Sequence, residues 1–141
     1  DGRLIKLNIF LILKPSLIYL YLKIMNFIAP KNIDSLLSEA ESQMLYSKLI
    51  NQLNKDFNSS NEAIDIPEQT SADRLKCILH EKIYRLIQYK FAEYLNLLYI
   101  IDVSEEEVKK LDGSDISALS GQVAFLILKR EWQKVWFRNK F

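Results

Sequence analysis

From Leu75 to Ile101 the chain places Leu75, Leu79, Ile83, Leu86, Ile87, Tyr94, Leu97, Leu98 and Ile101 on one side of a helical path, with Arg74, Glu81, Arg85 and Gln88 opposite. At 100° per residue this makes one broad apolar face, the signature of a helix packed along one side. A strand alternates with period two and cannot hold such a stripe on one face. The 141 residues include only three Gly and three Pro, too few for the turns of a β-sandwich. The sequence therefore predicts an all-α chain, an irregular bundle of about four helices near 33–57, 71–101, 104–112 and 115–139.

The first helix follows Pro30, with Asp34 or Ser35 as its cap. Its stripe begins as Ile33, Leu37, Ala40 and Met44, then shifts to Tyr46, Leu49, Ile50, Leu53 and Phe57. A shift of that kind means a bend or a change of neighbours along the helix. Residues 58–69 form a polar, Pro-containing loop, and Thr70 opens a capping box towards Asp73. Lys90 interrupts the apolar face of the second helix and is read as a snorkelling stem. The stretch Tyr94–Ile101 is apolar nearly all round and is expected to be the most buried end. Ser104-Glu105-Glu106-Glu107 caps a short helix with acids that suit its dipole. Asp112-Gly113-Ser114-Asp115 reads as a turn into the last helix. It lacks the alternating upstream ligands and closing Glu of a calcium loop.

Charge is distributed unevenly. Residues 1–24 carry a net +3 and residues 129–141 a net +4, so the body between them carries −6. Residues 3–24 are almost wholly Leu, Ile, Lys, Asn, Phe and Tyr, and composition becomes ordinary after Met25. The break predicts that 1–24 is an extension upstream of a start at Met25, with 25–141 a single helical domain. The competing reading is a hydrophobic anchor for a membrane-attached accessory protein. Lys14 and Pro15 fall in the middle of that segment, and a central Lys costs about 2.5–3.5 kcal/mol on insertion. The single Cys77 cannot form an internal disulfide, so a reduced, cytoplasmic setting is the expectation.

Catalytic and cofactor chemistry finds little to work with. Cys77 and His80 have ligand spacing, but zinc needs about four ligands and no other Cys or His exists. The same shortage excludes a di-iron bundle site, and there is no Gly-rich phosphate loop. The expectation is no metal, no cofactor and no catalytic centre. The most distinctive segment is KREWQKVWFRNKF at 129–141. Trp132 and Trp136 share a face one turn apart, with Val135 beside them and Arg130, Lys134 and Arg138 around them. One reading has the tryptophans finishing the core. A second makes these six residues a contact surface for a protein partner or a homodimer, because Trp and Arg are favoured interface anchors. A third is nucleic-acid binding through the same helix, against which the acidic body counts. The expected function is a non-enzymatic interaction or accessory module working through its C-terminal helix.

Overall fold

The computed structural model describes residues 27–140, so the expectations placed on 1–24 and Met25 lie outside the described residues. Within that range there are six α-helices and no strand. They are α1 (Ile33–Ser42), α2 (Tyr46–Ser59), α3 (Ala72–Tyr89), α4 (Phe91–Ile101), α5 (Glu105–Lys109) and α6 (Ile116–Lys140). The all-α expectation holds. The two longest N-terminal helices, however, are each divided in two.

The first division explains the shift of the apolar stripe. Met44 adopts a left-handed conformation, φ 59°. Leu45 N donates to Ala40 O at 2.8 Å and Met44 N to Glu41 O at 3.0 Å, which is the paired bonding of a Schellman end. Asn61 after α2 and Asp102 after α4 repeat it, at φ 62° and 69°. Glycine is the usual signal for this ending, and none of the three positions carries one.

The second division falls at Lys90, whose φ −141°, ψ 59° is not helical. It is more than a snorkelling stem. Lys90 Nζ donates to Glu62 Oε1 at 2.5 Å and Lys82 Nζ to Glu62 Oε2 at 3.0 Å. Glu62 is buried, so the loop after α2 is pinned both to α3 and to the joint between α3 and α4. The same loop is fixed from below by Asn54, which exchanges two 2.8 Å bonds with the backbone of Ile66.

Caps differ from the expectation in two places. Asn32, not Asp34 or Ser35, accepts from Ser35 N at 2.8 Å, and Ser71, not Thr70, caps α3 through Arg74 N. Ser104 caps α5 as its acidic first turn predicts. In the turn before α6, Asp112 accepts from Ser114 N and Asp115 from Ser117 N, so both carboxylates serve the backbone.

The last helix is the centre of the molecule. All five other helices pack against α6. Val123, Ala124, Ile127, Leu128, Trp132, Val135 and Phe137 of α6 all join the common core with Leu36, Leu49, Phe57, Leu75, Ile83 and Leu97 from α1 to α4. A central helix has neighbours on several sides, which is why its apolar residues change face along its length. The expectation that Tyr94–Ile101 is the most buried end does not hold. Tyr94, Leu97, Leu98 and Ile101 are buried, but Leu95 and Tyr99 point outward, 51% and 81% exposed.

Candidate functional surfaces

The six residues expected to form a contact surface are placed as follows. Trp132 is fully buried, Val135 is buried and Trp136 is 9% exposed, with the Phe27 ring 4.9 Å away in an edge-to-face arrangement. The aromatic side of α6 is therefore core, and the idea of an uncovered Trp132–Val135–Trp136 patch is corrected. All five other helices pack against α6, and the tryptophans finish the core, the first of the three readings. Arg130 is partly buried, with Nε donating to Asp102 O and Nη2 to Asp102 Oδ2, each at 3.1 Å. It thereby clamps the left-handed end of α4. Lys134 is buried, and Arg138 alone of the six is exposed.

Lys134 belongs to a polar cluster that sequence reasoning missed. Its Nζ lies 2.8 Å from Asp56 Oδ2 and 3.0 Å from Glu131 Oε1. Asp56 Oδ2 also accepts from Gln52 Nε2 at 3.0 Å, and Gln52 Oε1 accepts from Arg138 at 2.5 Å. Glu131 is fully buried, and burial pushes its carboxyl well above the ordinary glutamate range; its contact with Asp56 adds to this against the opposing pull of Lys134. Burial also works to raise Asp56, but hydrogen bonds from Glu131, Lys134 and Gln52 and the charge of Lys134 outweigh it, leaving that carboxyl below its ordinary range. Two carboxyl groups in contact with one ammonium can be neutral together only if one keeps its proton. Both directions favour the proton on Glu131 over Asp56. No periodicity argument finds this site, because Glu131 and Lys134 read as part of an ordinary charged helix end and Asp56 is far away in sequence.

The cluster backs onto a groove between α2 and α6, of about 370 Å³, lined by Lys48, Asn51, Gln52, Lys55, Val135, Arg138 and Asn139. Asp56, Glu131 and Lys134 are not among its lining residues. A larger groove of about 750 Å³ runs between α1, α3, α5 and α6. Two of its cations are already neutralised, Lys76 by Asp34 at 2.8 Å and Lys129 by Glu107 at 2.7 Å.

The third surface is the outer face of α4. Phe91, Leu95 and Tyr99 lie one turn apart along it and are all more than half exposed, with Tyr89 just before them and Ile100 at the margin. Glu93 is the one charged residue in the helix. Phe91 leans on the buried Tyr94, their rings 5.4 Å apart, so the face is continuous with the core beneath it.

His80 and Cys77 do not converge on a common ligand site. His80 Nε2 is 2.9 Å from Ser117 O and ties α3 to the start of α6, while Cys77 is exposed. No group of three metal-ligating side chains occurs among the described residues. No helix among them is long and apolar enough to cross a membrane. Comparison of the chain with family models, curated proteins and solved structures finds no match.

Proposed function

We propose that this chain is a protein-interaction module whose contact face is the outer side of α4, and that the occupant of that face is a second copy of the chain. The observation that carries the reading is the pairing of Leu95 and Tyr99, one turn apart and both exposed, on a helix with a single charge. Leaving Leu and aromatic side chains contiguous in water forfeits burial free energy of about 25 cal/mol per Å², and such patches mark contact sites. Tyrosine adds a hydroxyl at the rim, which suits an interface that is wet at its edge. A nearly uncharged face makes no demand for a complementary charged partner. A two-fold copy meets it with the same apolar residues, and two-fold pairing is the commonest form of self-association.

The nucleic-acid reading of the C-terminal helix loses most of its cations. Lys129 pairs with Glu107, Arg130 with Asp102, and Lys134 with Asp56 and Glu131. Cations already neutralised by carboxylates release few counterions from a phosphate backbone.

Cross-linking tests the pairing. In a Cys77→Ser background, Leu95→Cys should form a disulfide-linked dimer under mild oxidation, because a two-fold axis beside α4 brings residue 95 against its mate. Lys109→Cys, on a different helix, should not. Equal cross-linking of both, or of neither, overturns the α4 pairing.

A further inference from the structure

We propose that the groove between α2 and α6 binds a small phosphomonoester, with Arg138, Lys48 and Lys55 as its cationic ligands. The argument begins with the balance of charge. Elsewhere among the described residues several cations have a carboxylate: Lys76 with Asp34, Lys82 and Lys90 with Glu62, Lys129 with Glu107, Arg130 with Asp102, Lys134 with Asp56 and Glu131. Lys48, Lys55 and Arg138, all exposed, line this groove with no carboxylate among the other lining residues and no carboxylate partner of their own among the described residues; the neighbouring carboxylates of Glu68 and Asp56 are held by the lining amides of Asn51 and Gln52. Three cations gathered in one concavity of an acidic body repel one another and attract an anion.

The groove is also held in shape. Gln52 is buried and grips Arg138 at 2.5 Å through its carbonyl oxygen, while its amide nitrogen is anchored at 3.0 Å on Asp56, itself fixed at 2.8 Å by Lys134. The guanidinium therefore ends a chain of hydrogen bonds that runs into the core. Lys48 Nζ is held at 2.7 Å by Asn139 Oδ1, and Asn139 Nδ2 donates to Val135 O at 2.8 Å. Pre-placed donors lose little freedom when a ligand arrives. An arginine fork with further N–H donors free suits the planar oxygens of a phosphate face, and each lysine supplies a point charge beside it. The remaining wall is amide, from Asn51, Gln52 and Asn139, with Val135 as an apolar floor. A volume of about 370 Å³ fits a phosphate with a small organic substituent. A phosphomonoester is close to a dianion at neutral pH, which matches three cations better than a carboxylate does.

The experiment is a titration of the full chain, followed by backbone amide shifts, with inorganic phosphate, a sugar phosphate and a nucleoside monophosphate at constant ionic strength. The proposal expects saturable shifts confined to residues 48–55 and 135–139, with the esters binding more tightly than inorganic phosphate. Arg138→Gln and, separately, Lys48→Gln/Lys55→Gln should each weaken binding at least tenfold with the melting temperature kept. Lys109→Gln/Lys110→Gln, which removes the same charge elsewhere, should leave it unchanged. Unsaturable shifts spread over the surface, or equal loss in the Lys109/Lys110 control, overturn the site. Saturable binding of inorganic phosphate with no gain for either ester overturns the organic ligand. A single-stranded oligonucleotide that displaces the monophosphate at far lower concentration shows the groove to be part of a nucleic-acid surface and overturns the small-ligand assignment.

Discussion

Lys134 and Asp56, 78 positions apart in the chain, meet at 2.8 Å inside the core, with Glu131 as the third member of the group. This contact joins the C-terminal part of α6 to α2. Glu131 is the more deeply buried of the two acids, and burial pushes its carboxyl up while Asp56 is held down.

The stability of the protein should therefore fall as pH rises above the ordinary glutamate value on account of Glu131. Its value in the fold is raised above the ordinary one, near 4.5. Between those two values the folded state keeps the proton and the unfolded chain has released it, so stability declines with pH, by up to about 1.4 kcal/mol per unit for one proton. Asp56 is displaced below its ordinary range and titrates outside that window. Glu131→Gln keeps a neutral, donating side chain and should lack the decline. Denaturant unfolding of both proteins from pH 5 upward measures it; parallel curves contradict a buried, protonated Glu131.

Glu62 gives the opposite sign. The hydrogen bond from Lys90, followed by that from Lys82 and both positive charges, holds its carboxyl below the ordinary range against the effect of burial. Stability from this group is full above its ordinary value and is lost as pH falls through the lowered one. Glu62→Ala should destabilise the fold by about 1–3 kcal/mol at neutral pH, the range for losing hydrogen bonds between charged partners. It should also loosen the α3–α4 joint, seen as faster amide exchange at residues 86–94. An unchanged exchange pattern would show that the clamp does not hold the joint.

Met44 offers a gain. A left-handed non-glycine residue carries strain of about 1–2 kcal/mol, part of which glycine gives back through its extra freedom in the unfolded chain. Met44 is exposed and contributes little packing. Met44→Gly should raise stability by about 0.5–1 kcal/mol, read as a higher denaturant midpoint at the same slope.

Trp132 is fully buried at the centre of the bundle, so Trp132→Ala should lower stability by about 3–5 kcal/mol. Its indole Nε1 has no hydrogen-bond partner among the described residues. Trp132→Phe, which removes that unsatisfied donor with modest loss of volume, should be much milder than the alanine change. Equal losses for the two would place the energy of this residue in something other than its bulk.

Helix type was legible throughout, because the three- and four-residue spacing of Leu75, Leu79, Ile83 and Leu86 admits little else. The breaks were not. Met44, Asn61 and Asp102 end helices in the left-handed conformation without glycine, so the usual sequence sign is missing at each. The shifted stripe between Met44 and Tyr46 did register the first break as a bend. The change of face along α6 was visible as well, but its meaning depended on how many helices surround it, and only tertiary packing supplies that. The same holds for Leu95 and Tyr99: an apolar run shows that a segment can be buried, not which half of it finds neighbours. The Asp56–Glu131–Lys134 cluster left no local trace, since it forms across the bundle.

If the apolar face of α4, and not the tryptophans of α6, makes the contact with a second chain, removing that face must abolish self-association. The direct measurement is molar mass by light scattering at increasing concentration, for the wild type and for Leu95→Glu/Tyr99→Glu, with the helical content of both recorded. Both substituted residues are largely exposed, so the fold should survive. The wild type should rise in mass towards twice the 16.6 kDa of one chain, and the double variant should stay at the mass of one chain with its helices intact. A wild type that remains a single chain at every concentration, or a double variant that associates as the wild type does, contradicts the α4 contact.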